Sequence, residues 1–396
     1  MAKQSETPRS IELFAGGGGM ALGLHQAGFE HSSLVEWDSK ACDTLRLNSE
    51  GRWPSAEVWD GDVREWLKST SAEDVGEVDV VAGGPPCQPF SLGGLHNGDT
   101  DARNMFPAAL DVVRKFSPKA VIFENVPGLT RASFKPYFDY IVAQLREPSV
   151  THRRDETWTE HAARLAKPRR GARSLSYVVQ EPRIINAADY GIPQGRRRVF
   201  MVAVREDLGL EWDWDAFEPT HSEAALAYDQ WVEPVYWEEH DIPEPERPDK
   251  FTDDVVQRLK LKGRPTSERW RTVRDMLREP TVLPTPVDGV PHPEIPNHVG
   301  IPGARSYPGH TGSPIDLPAK TIKAGVHGVC GGEAMIRFRD DSLRYLSVRE
   351  SARVQGFPDD YQFTGARSTA MRHIGNAVAV GVARQVGERL RAVLSI

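Results

Sequence analysis

Short apolar runs alternate with helical spacing over the first half of the chain. Ser10-Ile11-Glu12-Leu13-Phe14 predicts a first strand, Ala15–Gly19 a glycine turn, and Met20-Ala21-Leu22-Gly23-Leu24 the opening of a helix. Ser33–Asp38 predicts a second strand and its end, and Val58–Val63 leads to the end of a third. Val78–Ala82, short, apolar and β-branched, reads as a buried parallel strand. A helix is expected from Asn104-Met105-Phe106 to about Phe116, and further strands at Ala120–Glu124, Tyr177–Val179 and Val199–Val204. Strands alternating with helices predict an α/β fold, here a Rossmann-like, mostly parallel sheet.

From Glu206 to roughly Leu343 this alternation fades and prolines multiply (Pro234, Pro243, Pro245, Pro248), which predicts a second, smaller domain. Periodicity then returns. Ser347 reads as a helix N-cap, Glu350 completes a capping box, and Gly356 with Pro358 ends the helix. A last helix is expected to begin at Ile374-Gly375-Asn376 and run through Val386 to Val393. The expected division is a first unit over 1–205, a second over 206–365 that includes the supporting stretch 344–358, and a C-terminal helix over 366–396 that returns to the first unit.

Composition changes this picture only at its margins. With 396 residues and 39% hydrophobic content the chain supports two domains with real cores. A net charge of -7 argues weakly against a nucleic-acid partner, although a local basic patch still neutralises phosphates. The three cysteines, Cys42, Cys87 and Cys330, show neither CxxC nor a zinc spacing, so no metal is expected and a reducing compartment is. The polar stretch Met1–Ser10 has no apolar signal core, and no run reaches membrane-span length. A cytoplasmic protein is the expectation.

Candidate chemistry gathers at the predicted strand ends. Cys87 follows the buried strand on the loop Gly83-Gly84-Pro85-Pro86-Cys87-Gln88-Pro89-Phe90-Ser91. A thiol at the carboxyl edge of an open α/β sheet is a candidate nucleophile, the alternative being a small buried hydrophobe. Glycines at Gly16–Gly19 let backbone approach a ligand at a helix start, but GxGxxG is absent, which counts against NAD. Glu36, about 20 positions later, is placed for ribose hydroxyls, with Trp37 beside it to stack on adenine; the alternative is a strand-end carboxylate and a half-buried Trp. Glu124 tips an apolar strand, where partial desolvation raises a carboxyl pKa and makes a proton donor. Arg196 and Arg198, two apart, share one side of an extended run and offer fixed donors, or else form a solvated edge. Residues 147–171 and their flank carry Arg153, Arg154, Arg164, Lys167, Arg169, Arg170 and Arg173, either a solvated insertion or a phosphate-tracking arm.

Five of these segments, in order, resemble the signatures of bacterial-type DNA cytosine-5 methyltransferases. They are Phe14-Ala15-Gly16-x-Gly18-Gly19, Pro86-Cys87-Gln88 before Ser91, Glu124-Asn125-Val126, Gln194-x-Arg196-x-Arg198 and Gly375-Asn376-Ala377-Val378. The resemblance spans residues 10 to 205 and 344 to 390. It implies methyl transfer from S-adenosylmethionine (SAM), leaving S-adenosylhomocysteine, to C5 of a flipped-out cytosine in a specific double-stranded DNA sequence. It implies that Cys87 forms the covalent adduct, Glu124 holds a proton at N3, Arg198 contacts O2 and Arg196 helps hold the base and loop. For SAM it implies contacts from Phe14, Ala15, Gly16, Gly18, Gly19, Glu36, Trp37, Asp62 (to the adenine amino group), Val63, Pro86, Asn376 and Ala377. Residues 206–343 become the target-recognition region. Further expectations are a monomer, no membrane, and a restriction endonuclease acting on the same site without a stable complex. A tRNA methyltransferase and a catalytically silent DNA-binding regulator are the alternatives.

Overall fold

The computed structural model describes residues 7–86, 104–167, 175–324 and 334–394. Cys87, the loop 88–103, Arg169, Arg170, Arg173 and Cys330 lie outside the described residues.

Eight strands form the central sheet. Along the chain, the strands and helices of this unit are β1 (Arg9–Leu13), α1 (Gly19–Gln26), β2 (Glu30–Glu36), α2 (Ser39–Leu47), β3 (Glu57–Asp60), α3 (Val63–Ser69), α4 (Ala72–Val75) and β4 (Val80–Gly83). They continue with α5 (Phe106–Phe116), β5 (Ala120–Asn125), α6 (Lys135–Arg146), α7 (Trp158–Leu165), β6 (Tyr177–Val179), β7 (Arg183–Asn186), the two-residue β8 (Gln194–Gly195) and β9 (Arg197–Arg205). The order is β3-β2-β1-β4-β5-β9-β6, with β7 also on β9. The first five strands are parallel, whereas β9 runs antiparallel to β5, β6 and β7. Helices cover both faces, so β4 and β5 are buried throughout and read as unbroken apolar runs. Strand order reverses between β1 and β4, which opens a crevice beyond their carboxyl ends. Gly83 is required there: a Cβ would lie 2.2 Å from the carbonyl oxygen of Leu13.

The insertion after α6 is partly a packed element. Thr157 and Glu160 form a capping box on α7, whose His161 and Leu165 are buried. Tyr140 Oη lies 2.8 Å from His161 Nδ1, Arg164 pairs with Glu156, and Arg153, Arg154 and Lys167 stay exposed.

Residues 206–345 hold two kinds of structure. A short parallel pair, β10 (His221–Ser222) with β11 (Glu268–Arg269), sits among α8 (Glu223–Trp231), α9 (Val235–Glu239), α10 (Asp253–Lys262) and α11 (Val273–Arg278). These helices enclose a small core of Leu226, Ala227, Trp231, Tyr236, Trp237 and Val256. Next come β12 (Ser313–Pro314), β13 (Ala319–Lys320), β14 (Met335–Arg337) and β15 (Leu343–Tyr345). Strand β13 pairs with β8 and so joins this region to the edge of the first unit.

The chain closes with α12 (Val348–Val354), α13 (Arg367–Asn376) and α14 (Val380–Leu394). Ser347 and Glu350 make the expected capping box, and Gly356 takes φ 84° just past the helix. The expected last helix is in fact two. Ala377 is extended (φ -60°, ψ 144°), and the carbonyls of Gly375 and Ala377 accept hydrogen bonds from Arg196 instead of continuing a helix. Helix α14 lies close against α1, where a Cβ on Gly23 would meet the Ala383 methyl at 2.4 Å. One core unites Ala15, Leu22, Leu34 and Leu45 with Ile336, Phe357, Tyr361 and Ile374. Among the described residues no helix is long and apolar enough to cross a membrane.

Candidate active site

The half of the site expected to hold a cofactor lies where β1, β2 and β3 end side by side, with Leu13 paired to Val35 and Glu36 to Asp60. Phe14 turns the chain with φ 56°, a conformation most side chains avoid, and Gly16 follows with φ 54°. Glu36 is 8% exposed. Its Oε2 accepts from Gly16 N at 2.8 Å and its Oε1 from Trp37 N and Asp38 N at 2.9 and 2.8 Å. Burial raises its pKa, and those three backbone donors oppose the rise. Beside it the Trp37 ring is 81% exposed, not half-buried.

The glycines divide into two kinds. A Cβ on Gly16 would have nothing nearer than the Phe14 carbonyl oxygen at 3.9 Å, which leaves open space for a ligand. On Gly17 it would meet Phe363 and His373 at 3.1 Å, on Gly18 the Tyr361 hydroxyl at 2.3 Å, and on Gly19 the Val378 carbonyl at 2.2 Å. Those three glycines let the C-terminal segments close over the loop, and Tyr361 Oη donates to Gly17 O at 2.8 Å.

Other expected cofactor residues have partners within the fold. Asp62 caps α3 by accepting from Arg64 N at 2.7 Å and pairs with the Arg64 guanidinium, which holds its carboxyl below the usual range. Val63 and Ala15 are buried in the core. Pro86 and Asn376 are exposed, and Ala377 is buried beside Gly19.

The residues expected to meet the base lie at the ends of β4, β5 and β9. Glu124 is 6% exposed, and its Oε1 sits 3.0 Å from Arg198 Nε. Burial raises the Glu124 pKa, while the charges of Arg198 and Arg196 pull it back. Arg198 remains partly exposed. Asn125 Nδ2 donates to Pro85 O at 2.8 Å, which fixes the entry to the Cys87 loop. A Cβ on Gly84 would come within 3.3 Å of Glu124 Oε2, so this entry runs directly past the carboxylate. Pro86 and Met105, which bracket residues 87–103, are joined by a 3.2 Å hydrogen bond from Met105 N to Pro86 O.

Arg196 is different. It is 1% exposed, and its terminal nitrogens donate to backbone carbonyls: Nη1 to Ile322 at 3.2 Å, Nη2 to Gly375 and Ala377 at 2.8 Å each. Burial, followed by the charge of Arg198, brings its pKa down to about 9. Fully buried Gln194 and Gln355 join this knot: Gln194 Nε2 donates to Gln355 Oε1 at 3.1 Å, and Gln355 Nε2 to Ile374 O at 2.7 Å.

Sequence reasoning passed over several residues here. Glu12, 1% exposed beneath the glycine loop, accepts from the Ala21 amide and has a pKa raised well above the ordinary value by burial. Its signal was a carboxylate inside an apolar strand. Gln355 and Tyr361 carried none, since their partners Gln194 and Gly17 lie 161 and 344 positions away, and Gln194 was marked only as part of the Gln-x-Arg-x-Arg signature.

A family model for C-5 cytosine-specific DNA methylases matches residues 8–149 and 168–392. The chain belongs to that family. It is a DNA cytosine-5 methyltransferase. It is 30% identical over 389 residues to the Type II methyltransferase M.NgoMIV of Neisseria gonorrhoeae, covering 96% of each chain. It is also 30% identical over 381 residues to M.Eco47II of Escherichia coli, covering 96% of this chain and 77% of that one. The S. pombe Dnmt2 methyltransferase has the same fold at 16% identity, with a TM-score of 0.54 over 98% of this chain and 100% of that one. Entamoeba histolytica EhMeth shares it at 15% identity, with a TM-score of 0.56 over 98% and 99%. For this methyltransferase, the expected family and fold class therefore hold.

Proposed function

We propose that this methyltransferase modifies C5 of a flipped-out cytosine in a specific duplex DNA sequence through a covalent bond to Cys87, with SAM as donor. The observation that carries the reading is the buried Glu124, paired with the partly exposed Arg198 beside Gly84, at the entry to the Cys87 loop. C5 of cytosine is a weak nucleophile, and a thiolate added at C6 pushes electron density onto it. Glu124, kept protonable by burial, holds a proton at N3 and offsets the charge that addition creates. Arg198 contacts O2. After methylation, loss of the C5 proton to water restores the C5–C6 double bond and expels the Cys87 thiolate. Reaching C6 requires the base to leave the stack, at a few kcal/mol.

The residues at the ends of β1 to β3 fit SAM. Gly16 leaves open space, Glu36 is a fixed carboxylate that would hold ribose hydroxyls, Trp37 offers an uncovered ring for adenine, and the exposed Asn376 would hold the methionine end. When bound, SAM supplies a methyl group on a sulfonium centre. Asp62 is the weakest of the set because Arg64 already engages it. Residues 206–343 read the target sequence in this account, and the Type II names of the relatives support a role as the modification half of a restriction–modification pair. Duplex DNA containing 5-fluorocytosine, incubated with the enzyme and SAM, tests the reading. A denaturation-resistant adduct that Cys87→Ala fails to form is the expected result; no adduct with the wild-type enzyme refutes it. Bisulfite sequencing of DNA from expressing cells then maps the site.

A further inference from the structure

Arg196 stands two positions from Arg198, the residue proposed to contact the base, yet its contacts lead away from Glu124 and Arg198. A single nitrogen, Nη2, holds the carbonyls of Gly375 and Ala377, the two residues on either side of Asn376. The other terminal nitrogen, Nη1, holds the carbonyl of Ile322, two residues past β13 in the 206–343 region. Gln194 Oε1 reinforces that second arm by accepting from Ile322 N at 3.0 Å. Asn376 itself is exposed while Gly375 and Ala377 on either side are buried, so the backbone that carries Asn376 is pinned on both sides by Arg196.

We infer that Arg196 is a positioning residue which couples cofactor binding to DNA binding, by holding the Asn376 turn and the Ile322 segment in one fixed relation to Arg198. The inference rests on the reading above, in which Asn376 meets SAM and the region containing Ile322 meets DNA. Three features favour a coupling role over simple packing. A buried guanidinium carries a desolvation cost of several kcal/mol that an apolar side chain would avoid. Its fixed fork reaches two segments that are 126 and 179 to 181 positions away in sequence. The segments it joins are those assigned to different ligands. A ligand that orders one arm of such a clamp lowers the ordering cost at the other, which gives positive coupling.

The test compares the Kd of a duplex carrying the bisulfite-mapped site with and without S-adenosylhomocysteine, for the wild type, Arg196→Lys and Gln355→Met. The wild type should bind DNA about 5-fold or more tightly with the cofactor product present, and by reciprocity bind the product tighter by the same factor with DNA present. Lysine keeps the charge but has no planar fork, so in Arg196→Lys the ratio should fall below about 2-fold. Gln355→Met, which loses a weaker hold on the same turn, should give an intermediate ratio and serves if the lysine variant fails to fold. General destabilisation lowers both affinities and leaves their ratio unchanged; an unchanged ratio in both variants overturns the inference. A wild-type ratio of one, in an enzyme that still methylates cytosine, overturns the coupling alone. Failure of the wild type to bind S-adenosylhomocysteine or to methylate C5 refutes the underlying reading instead.

Discussion

Two buried carboxyls occupy the two halves of this site, and they are held in different ways. Glu36 is fixed by three backbone amides from the glycine loop and its own strand end. Glu124 has a side-chain partner, Arg198, and its Oε1 makes no hydrogen bond of good geometry among the described residues. Burial raises both pKa values. Amides cannot move away or change charge, so Glu36 is preset as an acceptor. An arginine side chain can shift, so in the proposed reaction Glu124 can trade its ion pair for a protonated contact with the base. Anchoring by backbone suits recognition of an invariant ligand, and anchoring by a side chain suits a step in which a proton is held and released.

The sharpest separation of the halves is Cys87→Ala. It should reduce methyl transfer to background in a tritium-transfer assay while calorimetry gives an unchanged SAM affinity; residual turnover near wild type would break the nucleophile assignment. Glu124→Gln comes next, with kcat expected to fall by about 10²- to 10⁴-fold. The pH profile sharpens this case. A carboxyl with a raised pKa stays protonated to higher pH, so the protonated, active form is lost as pH climbs through that value. The wild-type rate should therefore decline on its alkaline side, and the glutamine variant should lack that decline. Glu36→Ala should instead weaken SAM binding by roughly 10- to 100-fold, the worth of a charge-assisted hydrogen bond, and leave the alkaline limb in place. If Glu36→Ala altered the pH profile and Glu124→Gln altered SAM affinity, the division would be wrong.

Two smaller effects serve as controls outside both halves. Charge reversal at Arg169 and Arg170 should flatten the salt dependence of DNA binding by about 0.9 in slope for each phosphate contact removed, with kcat unchanged. An unaltered slope would leave the insertion as a solvated loop around α7. Ser347→Ala removes the capping box on α12 and should cost about 1 kcal/mol in denaturant unfolding, with neither affinity changed.

Much of this was legible in the sequence. The run Ala120–Phe123 ending in a carboxylate marked Glu124 at a buried strand end, where the structure has it. The Ser347–Glu350 spacing gave a cap that forms as written. Glycines 17 to 19 were less transparent, because the same residues suit a ligand cradle or a close helix contact, and only their neighbours reveal which need dominates. The C-terminal helix was placed too early because nothing near Ile374 signals that the carbonyls of Gly375 and Ala377 are claimed by Arg196.

Strand and helix periods, caps and turns depend on neighbours a few positions apart, so the chain alone determined the α/β pattern, the order of its motifs and the residues able to carry the chemistry. Arg196 and Arg198 have the same side chain two positions apart, and their separate fates depended on Gly375, Ala377 and Ile322 in one case and Glu124 in the other. The tertiary structure alone decided those partners, because a buried charge must find its compensation wherever in the chain a carbonyl or carboxylate happens to be brought within reach.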